Sequence, residues 1–207
     1  MEHLKYEILT DEPVKFFGRT LYRIAALKDF YAGFSLSTTD SCVARLGFAV
    51  RQGDIGGFVE GQHNLSQEGS CWIGPGAAVF EKAVVTDNAL VTGIRRSIPT
   101  VTVRNYARIY GYATVKEFVQ IRDQAQIGGC SVIRQYARVE DGSVIIDADV
   151  GGYACIYNNL FLKGADKIID YNASPQRIGT KYDLERALAS VEDARMKSLK
   201  TGTYGLN

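Results

Sequence analysis

The chain has 207 residues, with 24 lysines and arginines against 23 aspartates and glutamates, which gives a formal net charge of +1. A charge so close to zero gives no bulk electrostatic reason to expect binding to nucleic acid or to a membrane surface. The sequence has no apolar run long enough to span a bilayer.

The cysteine and histidine content argues against a metal site. Four cysteines occur without a CxxC pair, and there are two histidines, so no zinc-ligand spacing is present. The first residues contain no apolar stretch of signal-peptide length. Reduced cysteines and this missing export signal predict a cytoplasmic protein, in a bacterium or in an infected cell.

Residues 1–70 are predicted to form an N-terminal β-hairpin and a capping region. Apolar and polar residues alternate over residues 5–27, and Gly18-Arg19 between two apolar runs predicts a hairpin turn. Residues 28–56 are typical of a loop with one or two short strands. The glycine-rich residues 53–74 precede a repeat, and we expect them, with the outward Trp72, to shield its exposed first strand.

A repeat of six residues fills the middle of the chain. Twelve of thirteen successive positions at this spacing are valine or isoleucine: Ile73, Val79, Val85, Val91, then the exception Ser97, then Val103, Ile109, Val115, Ile121, Ile127, Ile133, Val139 and Ile145. A second series lies two positions before the first, and most of its members are small residues: Cys71, Ala77, Ala83, Ala89, Arg95, Val101, Ala107, Ala113, Val119, Ala125, Ser131, Ala137 and Ser143.

This spacing predicts an all-β solenoid over residues 71–163. Residues at i and i+2 of a strand point to the same side, so both series point inward and the residue between them points outward. Six is not a multiple of the helical period, and it is shorter than a strand of ordinary length plus a turn. Very short strands with corners that all turn the same way therefore stack by parallel pairing.

The six-residue pattern resembles the hexapeptide repeat of left-handed parallel β-helix proteins, in which three hexads make one triangular coil of eighteen residues. The resemblance implies a left-handed parallel β-helix of about five coils, and the handedness comes from the resemblance alone. After Ile145 the register slips by one, and a five-residue step to Ala148 and Val150 restores it. This slip predicts a bulge or a tightened corner.

The segments that precede the repeat are similar to those of a group of largely uncharacterised proteins. The segments "TLYRIAALKDF", "GDIGGFVE" and "NLSQEGSCWI", followed by hexads, are the features shared. Such proteins are encoded by phages, prophages and gut bacteria. The resemblance implies no known activity, but its phage-like character suggests interference with a bacterial defence system.

Residues 164–207 are predicted to hold a linker, a helix over residues 181–199 and a loose tail. Thr180 can cap this helix, and Leu184 and Leu188 share an apolar face with Ala187. The helix either packs over the last coil or mediates association between subunits.

An enzyme is one possible function. Many left-handed β-helix proteins resembling this one are trimeric acyltransferases that use acetyl-CoA or another acyl-CoA, with a histidine as the general base. The excursion at residues 94–100 breaks the repeat but contains no histidine, and His63, before the first coil, is a weak candidate. Glu60, Asp87 or Glu140 would be an unusual base. The sequence therefore favours a non-catalytic protein without a cofactor.

The alternative is a binding protein that uses the outward positions. Positions eighteen residues apart stack, which predicts an aromatic column of Phe118, Tyr136 and, after the register slip, Tyr153, with arginine positions beside it. Such a wall can bind a small anionic or nucleotide-like ligand, or an acidic host protein. It can equally be a subunit interface of a trimer, or plain surface in a structural scaffold. The candidate residues are Arg104, Arg108, Arg122, Arg134, Arg138, Phe118, Tyr136 and Tyr153.

Overall fold

A computed structural model describes residues 4–32, 48–94, 99–164, 167–169 and 176–201. They form a parallel β-solenoid of about six turns with a single C-terminal helix, which confirms the predicted fold class with one more turn than expected. The strands that precede the coils are β1 (Tyr6–Phe16), β2 (Arg19–Ala26), β3 (Phe30–Ala32), β4 (Phe48–Val50) and β5 (Ile55–Val59). A short 3-10 helix (Gln62–Asn64) follows β5.

The coil strands contain two to four residues each. They are β6 (Trp72–Ile73), β7 (Ala77–Val79), β8 (Val84–Val85), β9 (Leu90–Gly93), β10 (Val101–Val103), β11 (Arg108–Ile109), β12 (Thr114–Glu117), β13 (Gln120–Ile121), β14 (Gln126–Gly128), β15 (Val132–Ile133), β16 (Arg138–Val139), β17 (Val144–Ile146), β18 (Asp149–Gly151), β19 (Ala154–Ile156), β20 (Phe161–Lys163), β21 (Lys167–Ile169) and β22 (Gln176–Ile178). The helix α1 spans Lys181–Thr201.

Three sheets form the walls of the solenoid, and successive coil strands visit them in turn. The first wall has the strand order β1-β2-β5-β7-β10-β13-β16-β19-β22, the second β20-β17-β14-β11-β8, and the third β21-β18-β15-β12-β9-β6. All pairs from β5 to β22 are parallel, whereas β1, β2 and β5 pair antiparallel. The stacked strands thus extend past residues 71–163 at both ends.

The inward valines and isoleucines of the repeat are fully buried. Val115, Ile127 and Ile133 have 0 % of their surface exposed, and so has the small inward Cys71. Each such aliphatic side chain contributes about 1.5–3 kcal/mol through removal of apolar surface from water. The sixfold series therefore forms one continuous core along the axis, as predicted.

The register reveals one insertion and one deletion in the repeat. Val103, Ile121 and Val139 are partners at the predicted eighteen-residue spacing. Val79 and Val103, however, pair across twenty-four residues, because one extra hexad lies between β9 and β10. It contains the exception at Ser97, and residues 95–98 lie outside the described ranges. The pairing of Val139 with Ile156 across seventeen residues confirms the five-residue step.

Aspartate and asparagine side chains stabilise the corners. Asn105, Asp123, Asp141 and Asn158 have φ between 57° and 64°, a left-handed conformation that these two residue types tolerate better than most others. The Asn105 amide donates to the Asp123 carboxylate at 2.6 Å, and the backbone N–H of Asn158 donates to Asp141 at 2.8 Å. The corners of successive coils are thereby linked.

The N-terminal hairpin covers the first coil. Its turn consists of Phe17 and Gly18, with φ of 48° and 73°; the predicted Gly18-Arg19 turn is wrong by one residue, since Arg19 already begins β2. Trp72 is buried, with its ring edge-on to that of Phe30 at 5.4 Å. This contact confirms that Trp72 helps to close the end of the solenoid.

The helix α1 covers the other end. Thr180 caps it as predicted, because its hydroxyl accepts from the backbone N–H of Asp183 at 3.1 Å. Ala187 is buried, and Leu184 and Leu188 pack against the core. Among the described residues, no helix is both long and apolar enough to cross a membrane.

The cysteines differ from the expectation that all are reduced. Cys71 and Cys155 are free thiols, whereas Cys130 is disulfide-bonded. Disulfides are rare in the reducing cytosol. One of the two arguments for a cytoplasmic location therefore no longer holds.

Candidate ligand-binding groove

An aromatic ladder runs along the corner between the third and first walls. The rings of Phe118 and Tyr136 are 4.9 Å apart with 7° between their planes, and those of Tyr136 and Tyr153 are 4.7 Å apart with 2° between theirs. These separations match the spacing of stacked strands, about 4.8 Å. The predicted aromatic column is therefore confirmed.

Next to the ladder, outward side chains of the first wall form a polar column. The parallel register aligns Gln120 with Arg138, Arg138 with Cys155, and Cys155 with Arg177. Gln120, Arg138 and Arg177 are exposed, and Cys155 is half-buried. Two guanidinium groups thus flank a thiol on a flat, rigid sheet.

An ion pair forms the opposite side. Arg122 donates to Glu140 at 2.7 Å, with 15 % of the Glu140 side chain exposed, and lies 3.7 Å from the Asp123 carboxylate. The hydrogen bond to Glu140 is the main cause that raises the pKa of Arg122. Because carboxylates already balance Arg122, it adds little net charge to the surface.

The ladder, the polar column and the ion pair enclose a groove of about 620 Å³, with Pro99 and Thr100 at one end and Arg177 at the other. Thr100 positions this end: its hydroxyl accepts from the backbone N–H of Ile94 at 2.8 Å and donates to the carbonyl of Glu117 at 2.6 Å. The residues after the extra hexad therefore close the groove at its N-terminal end.

Positive charge in the groove is unbalanced. Within the described part of the chain, neither Arg138 nor Arg177 forms an ion pair, and the Arg177 guanidinium lies over the Tyr157 ring at 4.6 Å from its centroid. Burial, followed by the Glu140 charge, raises the pKa of the Cys155 thiol, and the nearby arginines partly oppose this rise. Two guanidinium groups without ion-pair partners are chemically suited to bind an anion.

A larger cavity, of about 850 Å³, lies beside β4 and β5, but its charged groups have partners. Arg23 donates to the carbonyl of Gly56 at 3.1 Å and lies over the Phe58 ring at 4.5 Å. The Asp54 carboxylate accepts from the backbone N–H of Arg51 at 2.8 Å. The groove is the better candidate because two of its arginines, Arg138 and Arg177, form no ion pair within the described residues.

Five of the eight candidate residues from the sequence line the groove: Phe118, Arg122, Tyr136, Arg138 and Tyr153. The other three arginines do not. Arg104 lies over the Phe17 ring at 5.6 Å, Arg108 lies on β11 in the second wall, and Arg134 lies against Gly151. The expectation that Arg108 lies near the aromatic column is wrong, because β11 belongs to the second wall.

Gln120, Cys155 and Arg177 also line the groove but escaped the sequence analysis. Gln120 and Cys155 share the outward position of Arg138 in adjacent coils, so the same eighteen-residue mapping, corrected for the slip, finds them. Arg177 pairs with Cys155 across twenty-two residues, and no regular spacing reveals that alignment.

His63, the weak catalytic candidate, lies away from the groove. Its Nε2 atom is 2.6 Å from the Glu81 carbonyl oxygen, at an exposed turn near the first coil. Within the described ranges, no cluster of histidine, cysteine, aspartate or glutamate is suited to hold a metal ion.

A scan against protein-family models finds no match, and a search of the curated proteins finds no significant similarity.

Proposed function

We propose that this is a non-catalytic binding protein whose groove takes a small anionic ligand. One observation carries the proposal: the guanidinium groups of Arg138 and Arg177, which have no carboxylate partner among the described residues, face a groove of ligand size. Guanidinium groups bind phosphate and carboxylate through paired, charge-assisted hydrogen bonds. The β-sheet beneath them holds both arginines on a rigid surface.

The ladder supports an anionic ligand in a specific way. Rings only 4.7–4.9 Å apart leave no room for a planar group to insert between them. The ligand instead meets the ring edges, which carry partial positive charge, and the tyrosine hydroxyls, which can donate hydrogen bonds. Tyr136 is 46 % exposed and is the most accessible of these donors.

The wider role is part of the same proposal. The hexapeptide resemblance supports a left-handed, trimeric solenoid. The phage-like segments before the repeat support sequestration of a ligand in the bacterial or infected cytoplasm, in competition with host defence. Blocking of an acidic host protein, acyl transfer from acetyl-CoA and a scaffold role remain alternatives, and no observation in the groove favours them.

Isothermal titration with inorganic pyrophosphate tests the proposal. We expect saturable binding that Arg138→Gln and Arg177→Gln each weaken by about ten- to a hundredfold, since a hydrogen bond to a charged group contributes about 1.5–3 kcal/mol. Arg108→Gln is the matched control, because Arg108 holds the same outward position on the second wall. No binding by the unsubstituted protein, or an equal loss with Arg108→Gln, would contradict the proposal.

A further inference from the structure

The two ends of the groove differ in chemistry. Thr100, Phe118 and Gln120 form the N-terminal end, and all three are uncharged, whereas positive charge begins one strand further along the first wall, at Arg138, and continues to Arg177 at the C-terminal end. Gln120 and Arg177 are three strands apart in the first wall, a separation of about 14 Å at the usual strand spacing. A compact anion that binds both arginines leaves the neutral end of the groove empty.

Gln120 is the group that can recognise a neutral ligand moiety at that end. The Thr100 hydroxyl already accepts one hydrogen bond and donates another. The exposed side-chain amide of Gln120, in contrast, forms no hydrogen bond with other residues that the structure describes. Its oxygen accepts and its nitrogen donates, so it can pair with an edge that presents one donor beside one acceptor. Heterocyclic bases present such edges.

We propose, on the basis of the function above, that the anionic ligand is a nucleoside polyphosphate. Its base lies at Gln120 against the edge of the Phe118 ring, and its phosphates lie on Arg138 and Arg177. An extended nucleotide spans both ends, and each end supplies the matching chemistry: an uncharged donor–acceptor pair for the base and two guanidinium groups for the phosphates.

Titration of the same protein with ATP, GTP, CTP, UTP and pyrophosphate tests this assignment. At least one nucleotide should bind about tenfold or more tightly than pyrophosphate. Gln120→Ala should weaken the binding of that nucleotide by about fivefold or more, which is the lower range for a bidentate contact to a base. The same substitution should leave the affinity for pyrophosphate unchanged. Gln126→Ala, an outward glutamine on the second wall, should change neither affinity.

Failure of the inference is distinguishable from failure of the proposed function. Pyrophosphate binding as tight as that of every nucleotide, or a Gln120→Ala variant with unchanged nucleotide affinity, overturns the nucleotide assignment alone. Absence of binding for both pyrophosphate and nucleotides overturns the proposed function as well. Gln120 is exposed, so an unchanged thermal midpoint confirms that the variant is folded.

Discussion

Truncation of Ile127 to alanine should destabilise the protein strongly. Ile127 is fully buried, and its neighbours in the adjacent coils, Ile109 and Ile145, are equally buried. The change removes three carbon groups, worth about 0.8 kcal/mol each in transfer free energy. Both neighbours are held by their own strand pairing and cannot collapse into the cavity, so the total loss should be about 3–5 kcal/mol.

Urea unfolding followed by circular dichroism measures this loss. The control is Gln126→Ala, in the same strand but outward, which should change the free energy of unfolding by no more than about 0.5 kcal/mol. If the two variants differ by less than about 1 kcal/mol, Ile127 does not lie in a close-packed core, and the inward assignment of the whole sixfold series is refuted.

Other predictions concern titratable groups. Because burial and Glu140 raise the Cys155 pKa, its alkylation by iodoacetamide should be slower than that of a free cysteine at neutral pH, and Glu140→Gln should accelerate it; mass spectrometry reports both rates. Bound pyrophosphate should protect Cys155. The Thr180 hydroxyl lowers the Asp183 pKa, so Asp183 stabilises α1 above about pH 4, and this contribution disappears as pH falls through the lowered pKa. Asp183→Asn should therefore reduce the thermal midpoint at neutral pH but not at pH values below the lowered pKa; a constant difference would contradict this assignment.

The architecture was predictable because one physical rule repeats along the chain. Inward valine and isoleucine at every sixth residue leave few alternatives to a stacked solenoid, and Thr180 followed by an apolar helical face defines α1. The extra hexad was visible in the sequence as the exception at Ser97, but its effect on strand pairing was not. Local spacing cannot reveal whether the residues of an extra hexad form a strand of a wall or a loop outside it.

The groove was predictable only in part. The ladder of Phe118, Tyr136 and Tyr153 follows from the coil period once the five-residue step is counted, because its members lie in consecutive coils without an insertion. To predict which arginines line the groove, one has to know the wall on which each coil strand lies. Arg108 and Arg138 look equivalent in sequence but lie on different walls, and Arg177 joins the groove only through an irregular last turn.

A crystal structure of the protein grown with a nucleoside triphosphate tests the central claim most directly. The account predicts phosphate density within hydrogen-bond distance of the guanidinium groups of both Arg138 and Arg177, beside the aromatic ladder. An empty groove, or phosphates bound at another wall such as that of Arg108, would contradict it.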